Sequence, residues 1–369
     1  MKSVRVSLRE KSYEILVGRG ILRDAASYLK KKNFERRHAL IVTQKEVAVH
    51  HEGALRQSLS RHGFETRLFL TPNAKSSESA KSPAVYWRLI RDLAACDGEG
   101  KSVFLVALGG GVIGDLTGFA ASVYRRGIPY VQVPTTLTAQ VDSAIGGKTA
   151  LDLPEGKNLL GTIYQPALVL CDTQLLSTLP DRHWSDGFAE VIKYGLIGDA
   201  ALFAILEKHG KEGIRSDASL LEKVVCRSAA IKAKVVEKDE FDKKGVRIVL
   251  NLGHTAGHAL EAATRFSNRY THGEAIAIGM LVACQISRRL GCLKDTALPE
   301  RLEKTLLKFE LPLFYKGCSL ESLLKAIGYD KKSVGGRNRF VLPVSMGRVT
   351  VVRDVPDEVI KEALEKRRG

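Results

Sequence analysis

The chain predicts an α/β fold in its first half and a mainly α-helical second half, and three observations carry that reading. Strand-like and helix-like runs alternate up to about residue 180 of the 369, and helical periodicity dominates beyond it. Within the first half a fully apolar stretch, Val103–Leu108, runs straight into the glycine-rich turn Gly109-x-Gly111-x-x-Gly114. Alternating strands and helices are the signature of a parallel sheet with helices on its faces, a nucleotide-binding pattern.

Taken in order, Val4–Val6 and Tyr13–Val17 alternate as paired strands, and Ile21–Tyr28 has helical spacing. His38–Val42 and Thr66–Leu70 read as strands and Pro83–Ala95 as an amphipathic helix. Val103–Leu108 contains no polar residue, as expected of a strand buried on both faces. Leu116–Tyr124 resumes as helix, and Tyr130–Val133 and Leu168–Cys171 are further short strands. Leu179-Pro180-Asp181-Arg182 reads as a hinge, which predicts domains at 1–179 and 180–369. Beyond it, helical spacing covers Trp184–Leu196, Ala200–Lys208, Leu220–Asp239, His254–Arg265, Glu274–Leu290, Pro299–Phe309, Leu320–Ile327 and Glu358–Lys366, and strands are suggested at Arg339–Leu342 and Val349–Val352.

Hydrophobic content of 44% and charged content of 27% describe an ordinary globular protein. The net charge of +16 admits nucleic acid or an anionic small molecule as partner. The basic residues are dispersed, however, and Lys30-Lys31-Lys32 and Lys366-Arg367 read as solvated faces, so no nucleic acid is expected. The N-terminus alternates like a strand and lacks the apolar centre of a signal peptide. No apolar run approaches the ~20 residues of a membrane helix, so no membrane partner is expected. Six scattered cysteines without a CxxC read as reduced thiols of a cytoplasmic protein.

The GxGxxG turn is weak evidence alone, but its amides open a helix and can approach a pyrophosphate, with Asp115 placed to orient them or touch a cofactor. Residues 134–166 are dense in polar groups: Thr135-Thr136, Asp142, Gly146-Gly147-Lys148 and Gly156-Lys157-Asn158. Glycines let a ligand approach the backbone while Lys148 and Lys157 supply compact positive charge. Gly146-Gly147-Lys148-Thr149 resembles part of a Walker A loop, but Asp142 occupies the place of its upstream glycine, which excludes an NTP-hydrolysing loop. Three of the nine histidines, His254, His258 and His272, fall in one short stretch, and Glu190 and Lys193 stand one turn apart on an otherwise apolar helix. Two imidazoles with one carboxylate are a frequent ligand set for catalytic zinc, so convergence of Glu190, His254 and His272 would make a metalloenzyme.

Together these motifs resemble the 3-dehydroquinate synthases, in order and spacing, most densely from Val103 to Met280. The resemblance implies a Rossmann-like NAD-binding N-terminal domain and a mainly α-helical, metal-binding C-terminal domain. It implies conversion of 3-deoxy-D-arabino-heptulosonate 7-phosphate to 3-dehydroquinate and phosphate, in the shikimate pathway. NAD and a divalent metal, zinc or else cobalt, would be the cofactors, and the enzyme a homodimer. Glu190, His254 and His272 would hold the metal, while Lys193 would reach a substrate hydroxyl. Glu78, Lys81, Gly110, Gly111, Val112, Asp115, Thr135, Thr136, Asp142, Lys148 and Lys157 would serve NAD. Arg247 and Lys232 would clamp the substrate carboxylate, and Asn251, Asn158, Lys148 and His258 would surround its phosphate. Arg126 of a neighbouring copy would complete the phosphate site, and Lys331 (or Lys332) would point inward. Inosose- and valiolone-forming cyclases share the metal and NAD motifs but act on substrates without the carboxylate. Iron-type alcohol dehydrogenases share the two-domain plan but need no phosphate cluster.

Departures from the family pattern gather on the adenosine side of the cofactor. Gln44 and Glu46 stand where an Asp and an Asn are usual, Ser77 replaces a glycine before Glu78, and Asp152 replaces an Asn. Gln44 cannot accept two ribose hydroxyls as a carboxylate does, which predicts weaker NAD binding with activity intact.

Overall fold

The computed structural model describes residues 1–32, 34, 38–72, 77–98, 103–264, 269–333 and 338–369, without the side chains of residues 77 and 329–333. The chain divides into two units: Met1–Leu179 with Lys232–Phe241, and Pro180–Ile231 with Asp242–Gly369.

The first unit runs β1 (Lys2–Val6), β2 (Tyr13–Gly18), α1 (Ala25–Lys31), β3 (His38–Thr43), α2 (Lys45–Arg61), β4 (Glu65–Leu70), α3 (Pro83–Asp97), β5 (Val103–Gly109), α4 (Gly111–Val123), β6 (Tyr130–Pro134), β7 (Lys148–Leu153), β8 (Gly156–Ile163) and β9 (Leu168–Asp172). Seven strands form one sheet in the order β1-β2-β9-β6-β5-β3-β4. Only the β1–β2 pairing in it is antiparallel. Successive side chains of a strand face opposite ways, so β5 feeds two cores. Phe104, Val106 and Leu108 pack with Leu55 and Leu59 of α2, whereas Val103, Leu105 and Ala107 pack with α3 and with Ile113 and Leu116 of α4. Thus α2 leaves β3 on one face and α4 leaves β5 on the other. The carboxyl ends of these two neighbouring strands form a topological switch point, where open α/β sheets bind ligands.

Three elements carry no clear mark in the sequence. Helix α2 buries only His51, Leu55, Ser58 and Leu59, a stripe too narrow to impose apolar periodicity. Strands β7 and β8 form an antiparallel hairpin within the polar segment. Because β8 is largely exposed, no buried face imprints an alternation on its sequence.

The second unit holds α5 (Asp181–Gly198), α6 (Ala200–Ser216), α7 (Ala218–Lys238), α8 (His254–Ala263), α9 (His272–Arg289), α10 (Leu298–Lys308), α11 (Leu320–Ser333), the hairpin β10 (Arg339–Ser345) and β11 (Arg348–Arg353), and α12 (Asp357–Glu365). The part of α7 from Lys232 onward belongs to the first unit, and no break in the Leu220–Asp239 pattern marks that point. Gly210, at φ 65°, interrupts α6, so the helix predicted over Ala200–Lys208 is its first part. On α5, Trp184 stacks on Phe188 at 6.0 Å and Phe188 meets Phe309 at 4.6 Å. Helix α9 is buried almost continuously from Gly273 to Ser287. Among the described residues no helix is long and apolar enough to cross a membrane.

Candidate active site

In the second unit, the site begins with the start of α9. Thr271 Oγ1 accepts the Glu274 N–H at 3.3 Å and Glu274 Oε2 accepts the Thr271 N–H at 2.8 Å, a capping box that makes His272 the first helical residue. The Thr-x-x-Glu spacing carried that signal, although periodicity alone started the helix at Glu274. The next residue, Gly273, lies against α5: a Cβ there would stand 2.2 Å from the Asp186 carbonyl oxygen. Its N–H donates to Asp186 Oδ1 at 2.6 Å. Glu190 is one turn further along α5, so this contact sets it beside His272. Asp186 carried no signal in the sequence, because its role exists only once α5 and α9 touch. On the other side of α9, a Cβ on Gly279 would stand 1.9 Å from the Gly253 carbonyl oxygen, which draws in α8 and its first residue, His254.

The result is a cluster. Glu190 Oε1 lies 3.7 Å from His254 Nε2 and 3.4 Å from His272 Nε2. One ligand atom from each of the three residues lies within 4.8 Å of the others. The set fits a divalent cation. Both Glu190 oxygens are buried without hydrogen bonds among the described residues, holding ion-pair contacts to the two imidazoles and to Lys193. His254 Nδ1 faces the Leu252 carbonyl at 3.2 Å, which leaves Nε2 directed at the cluster, available as a ligand nitrogen.

The electrostatics agree. Burial and then the Lys193 ammonium hold His254 well below the usual histidine range, against the pull of Glu190. For Glu190 burial acts upward, but Lys193 and the two histidines together carry it well below the usual carboxylate range. Burial opposes protonation of His272, yet the Glu190 and Glu261 carboxylates beside its two ring nitrogens push it up to about 10. A positive charge is therefore welcome at the cluster, and a cation must displace a proton to enter. Lys193 is 2% exposed and pairs with Glu190. His258, one turn after His254, is exposed, with its ring 5.2 Å from His254 and 5.9 Å from His272. Arg247 is buried and Asn251 exposed at the two ends of the short turn Arg247–Asn251.

In the first unit, Gly110 is the N-cap of α4, no side chain among the described residues caps that helix, and Gly111 and Val112 begin it, where backbone amides can receive an anion. Thr135 N–H donates to the Gly109 carbonyl at 3.0 Å, and Thr136 Oγ1 accepts the Ala139 N–H at 3.1 Å. Lys81, 3% exposed, gathers the nearby polar groups. Its Nζ donates to Asp115 at 2.8 Å and Asn158 at 2.5 Å, with Glu78 at 3.7 Å and Asp152 at 3.8 Å. Burial acts against that ammonium, but Asp115, Glu78 and Asp152 outweigh it and raise its pKa. Lys157 pairs with Glu78 at 3.9 Å. Lys232 Nζ donates to both Oδ1 and the backbone oxygen of Asp142, each at 2.7 Å. Lys148 is exposed at the start of β7. Gln44, at the end of β3, is the N-cap of α2 and makes no side-chain cap.

Arg126 is exposed on a turn where Arg125 and Arg126 have φ of 48° and 62°. Buried Asp97 braces that turn, accepting from Tyr124 Oη at 3.0 Å and Arg125 Nε at 2.5 Å. The side chains of Lys331 and Lys332 lie outside the described residues.

The overall plan is that of enzymes pairing a Rossmann-like sheet unit with a helical unit. A 2-epi-5-epi-valiolone synthase from Streptomyces hygroscopicus subsp. jinggangensis, solved with NAD+ and Zn2+ bound, is 29% identical, with a TM-score of 0.85 over 98% of each chain. A 2-deoxy-scyllo-inosose synthase complexed with carbaglucose-6-phosphate, NAD+ and Co2+ shares the fold, at 24% identity and a TM-score of 0.87 over 99% of this chain and 100% of that one. Residues 72–186 match the 3-dehydroquinate synthase N-terminal family model and residues 187–333 the C-terminal one. A 3-dehydroquinate synthase of Nitrosospira multiformis is 41% identical over 368 residues, 99% of this chain and 98% of the relative. The chain belongs to the 3-dehydroquinate synthase family.

Proposed function

We propose that the protein converts 3-deoxy-D-arabino-heptulosonate 7-phosphate to 3-dehydroquinate and phosphate, a carbon–oxygen lyase reaction of the shikimate pathway. The observation that carries this reading to particular residues is the cluster of buried Glu190 with His254 and His272, beside Lys193. Substrate is oxidised, loses phosphate, is re-reduced and closes by an intramolecular aldol step, with no net redox change. When bound, NAD takes up and returns a hydride, and a divalent cation, zinc or else cobalt, polarises a substrate hydroxyl.

The chain's own groups bind and orient. In the second unit Glu190, His254 and His272 hold the cation, and Lys193 donates to a substrate hydroxyl. His258 and Asn251 take the phosphate, and Arg247 the carboxylate. In the first unit the open amides of Gly110, Gly111 and Val112 take the cofactor's pyrophosphate. Glu78, Lys81, Asp115, Thr135, Thr136, Asp142 and Lys157 line its site. Lys148 and Asn158 serve phosphate, and Lys232 serves carboxylate. Lys331 is assigned to the substrate as well. The exposed, braced turn supports Arg126 as a phosphate contact in a second copy of the chain, within a homodimer. The setting we assign is the cytoplasm.

The test supplies metal-loaded protein with the heptulosonate phosphate and NAD and follows phosphate release and dehydroquinate. Turnover by wild type and its loss in Glu190→Ala and His254→Ala are expected. Substantial turnover by either variant would remove the metal role, and wild type that oxidises glycerol but yields no dehydroquinate would favour a dehydrogenase.

A further inference from the structure

Glu261 lies on α8 one turn beyond His258 and two beyond His254, on the same side of the helix. Its Oε1 stands 3.5 Å from His272 Nδ1, while Glu190 Oε1 stands 3.4 Å from His272 Nε2. The imidazole of His272 is thus held between two carboxylates, one at each ring nitrogen. The two candidate imidazole ligands are oriented by different means. His254 uses a backbone carbonyl at Nδ1, and His272, at the first position of its helix, has a side chain from the facing helix in that place.

We propose that Glu261 is a positioning residue: it accepts the Nδ1–H of His272, fixing the tautomer and ring plane so that the Nε2 lone pair meets the cation held by Glu190 and His254. This rests on the reading of those three residues as metal ligands. A ligating histidine generally donates its other N–H to such a group, and removal of that partner weakens metal binding about 10–100-fold. Glu261, His258 and His272 also offer ligand atoms within 4.8 Å of one another. The rival use of this carboxylate is therefore as a ligand to a second cation, which would take the Nδ1 position from the proton.

The experiment titrates metal-free protein with Zn2+ against a chromophoric chelator, for wild type and for the Glu261→Gln, Glu261→Ala and His254→Ala variants. Thermal unfolding serves as the control for fold. One ion per chain is expected throughout the Glu261 series. Affinity should fall about 10–100-fold in Glu261→Ala and recover in part in Glu261→Gln, whose amide oxygen still accepts the Nδ1–H. In the zinc-loaded protein, a ring-nitrogen NMR spectrum should show His272 protonated at Nδ1, with that proton exchanging with solvent markedly faster in Glu261→Ala than in wild type. Wild-type affinity in a folded Glu261→Ala protein would overturn the proposal. So would two ions per chain in wild type falling to one in that variant. A His254→Ala protein that binds zinc like wild type would instead strike the underlying ligand assignment.

Discussion

At Asp199 a single carboxylate caps α6 through the Leu202 N–H at 3.0 Å and takes a two-point ion pair from Arg227, at 2.8 Å from Nε and 2.7 Å from Nη2. Burial acts to raise its pKa, but the Arg227 hydrogen bonds and the Leu202 N–H outweigh burial and hold it below the usual range. A folded value below the unfolded one, about 3.9, gives stability that is fully present above that pH. The contribution is lost as pH falls through the folded value. Asp199→Asn keeps a capping oxygen and removes the charge. It should be about 1 kcal/mol less stable than wild type at pH 7, and the gap should close in strong acid. Urea unfolding at both ends of that range measures the difference; a gap that stays constant would show that the charge is not the stabilising feature. Glu190 and Lys193 are a different case, because their buried charges are costly unless each keeps its partners.

Helix contacts decide where the metal-ligand candidates meet. Gly279 permits α9 to approach α8 so closely that a Cβ would stand 1.9 Å from a backbone oxygen, and a backbone neighbour cannot swing aside. Gly279→Ala should cost about 1–3 kcal/mol by overpacking and also weaken zinc binding, because His254 and His272 ride on the two helices being forced apart. Thermal unfolding and chelator competition read the two effects, and wild-type values in both would show that the helices have room. In the first unit the informative junction is β3 to α2, where Gln44 stands at the switch point. Gln44→Asp should tighten NAD binding in a fluorescence titration by supplying an acceptor for both ribose hydroxyls. Unchanged affinity would detach Gln44 from the cofactor.

For the molecule as a whole, the assignment of Arg126 to a second copy makes a complementation test possible. Arg126→Ala and Glu190→Ala proteins should each be inactive. In a hybrid of the two, one site has Glu190 from its own chain and Arg126 from the other. Dissociated and remixed, the pair should recover roughly a quarter of wild-type activity, since about half the dimers are hybrids with one intact site each. No recovery from a mixture that forms hybrids by mass spectrometry would place Arg126 at the site of its own chain or at none.

By itself the sequence determined the elements whose burial leaves a mark in the run of apolar residues. Val103–Leu108 reads as a strand because both its faces are covered, and α9 as a helix because it is buried along most of its length. The glycine turn, the Glu190/Lys193 pair and the histidine block were likewise legible, because their chemistry is local and carries its own spacing. Helix α2 and strand β8 were not, since a narrow or exposed face imposes no period. Only the tertiary structure decided that Glu190 meets His254 and His272. That convergence depends on Gly273 against Asp186 and Gly279 against Gly253, contacts between residues distant in the chain. It likewise decided that Lys232 falls with Asp142 and Asn158 with Lys81. Which charge neutralises which depends on the packing that brings the groups out of water together, and no local pattern records it.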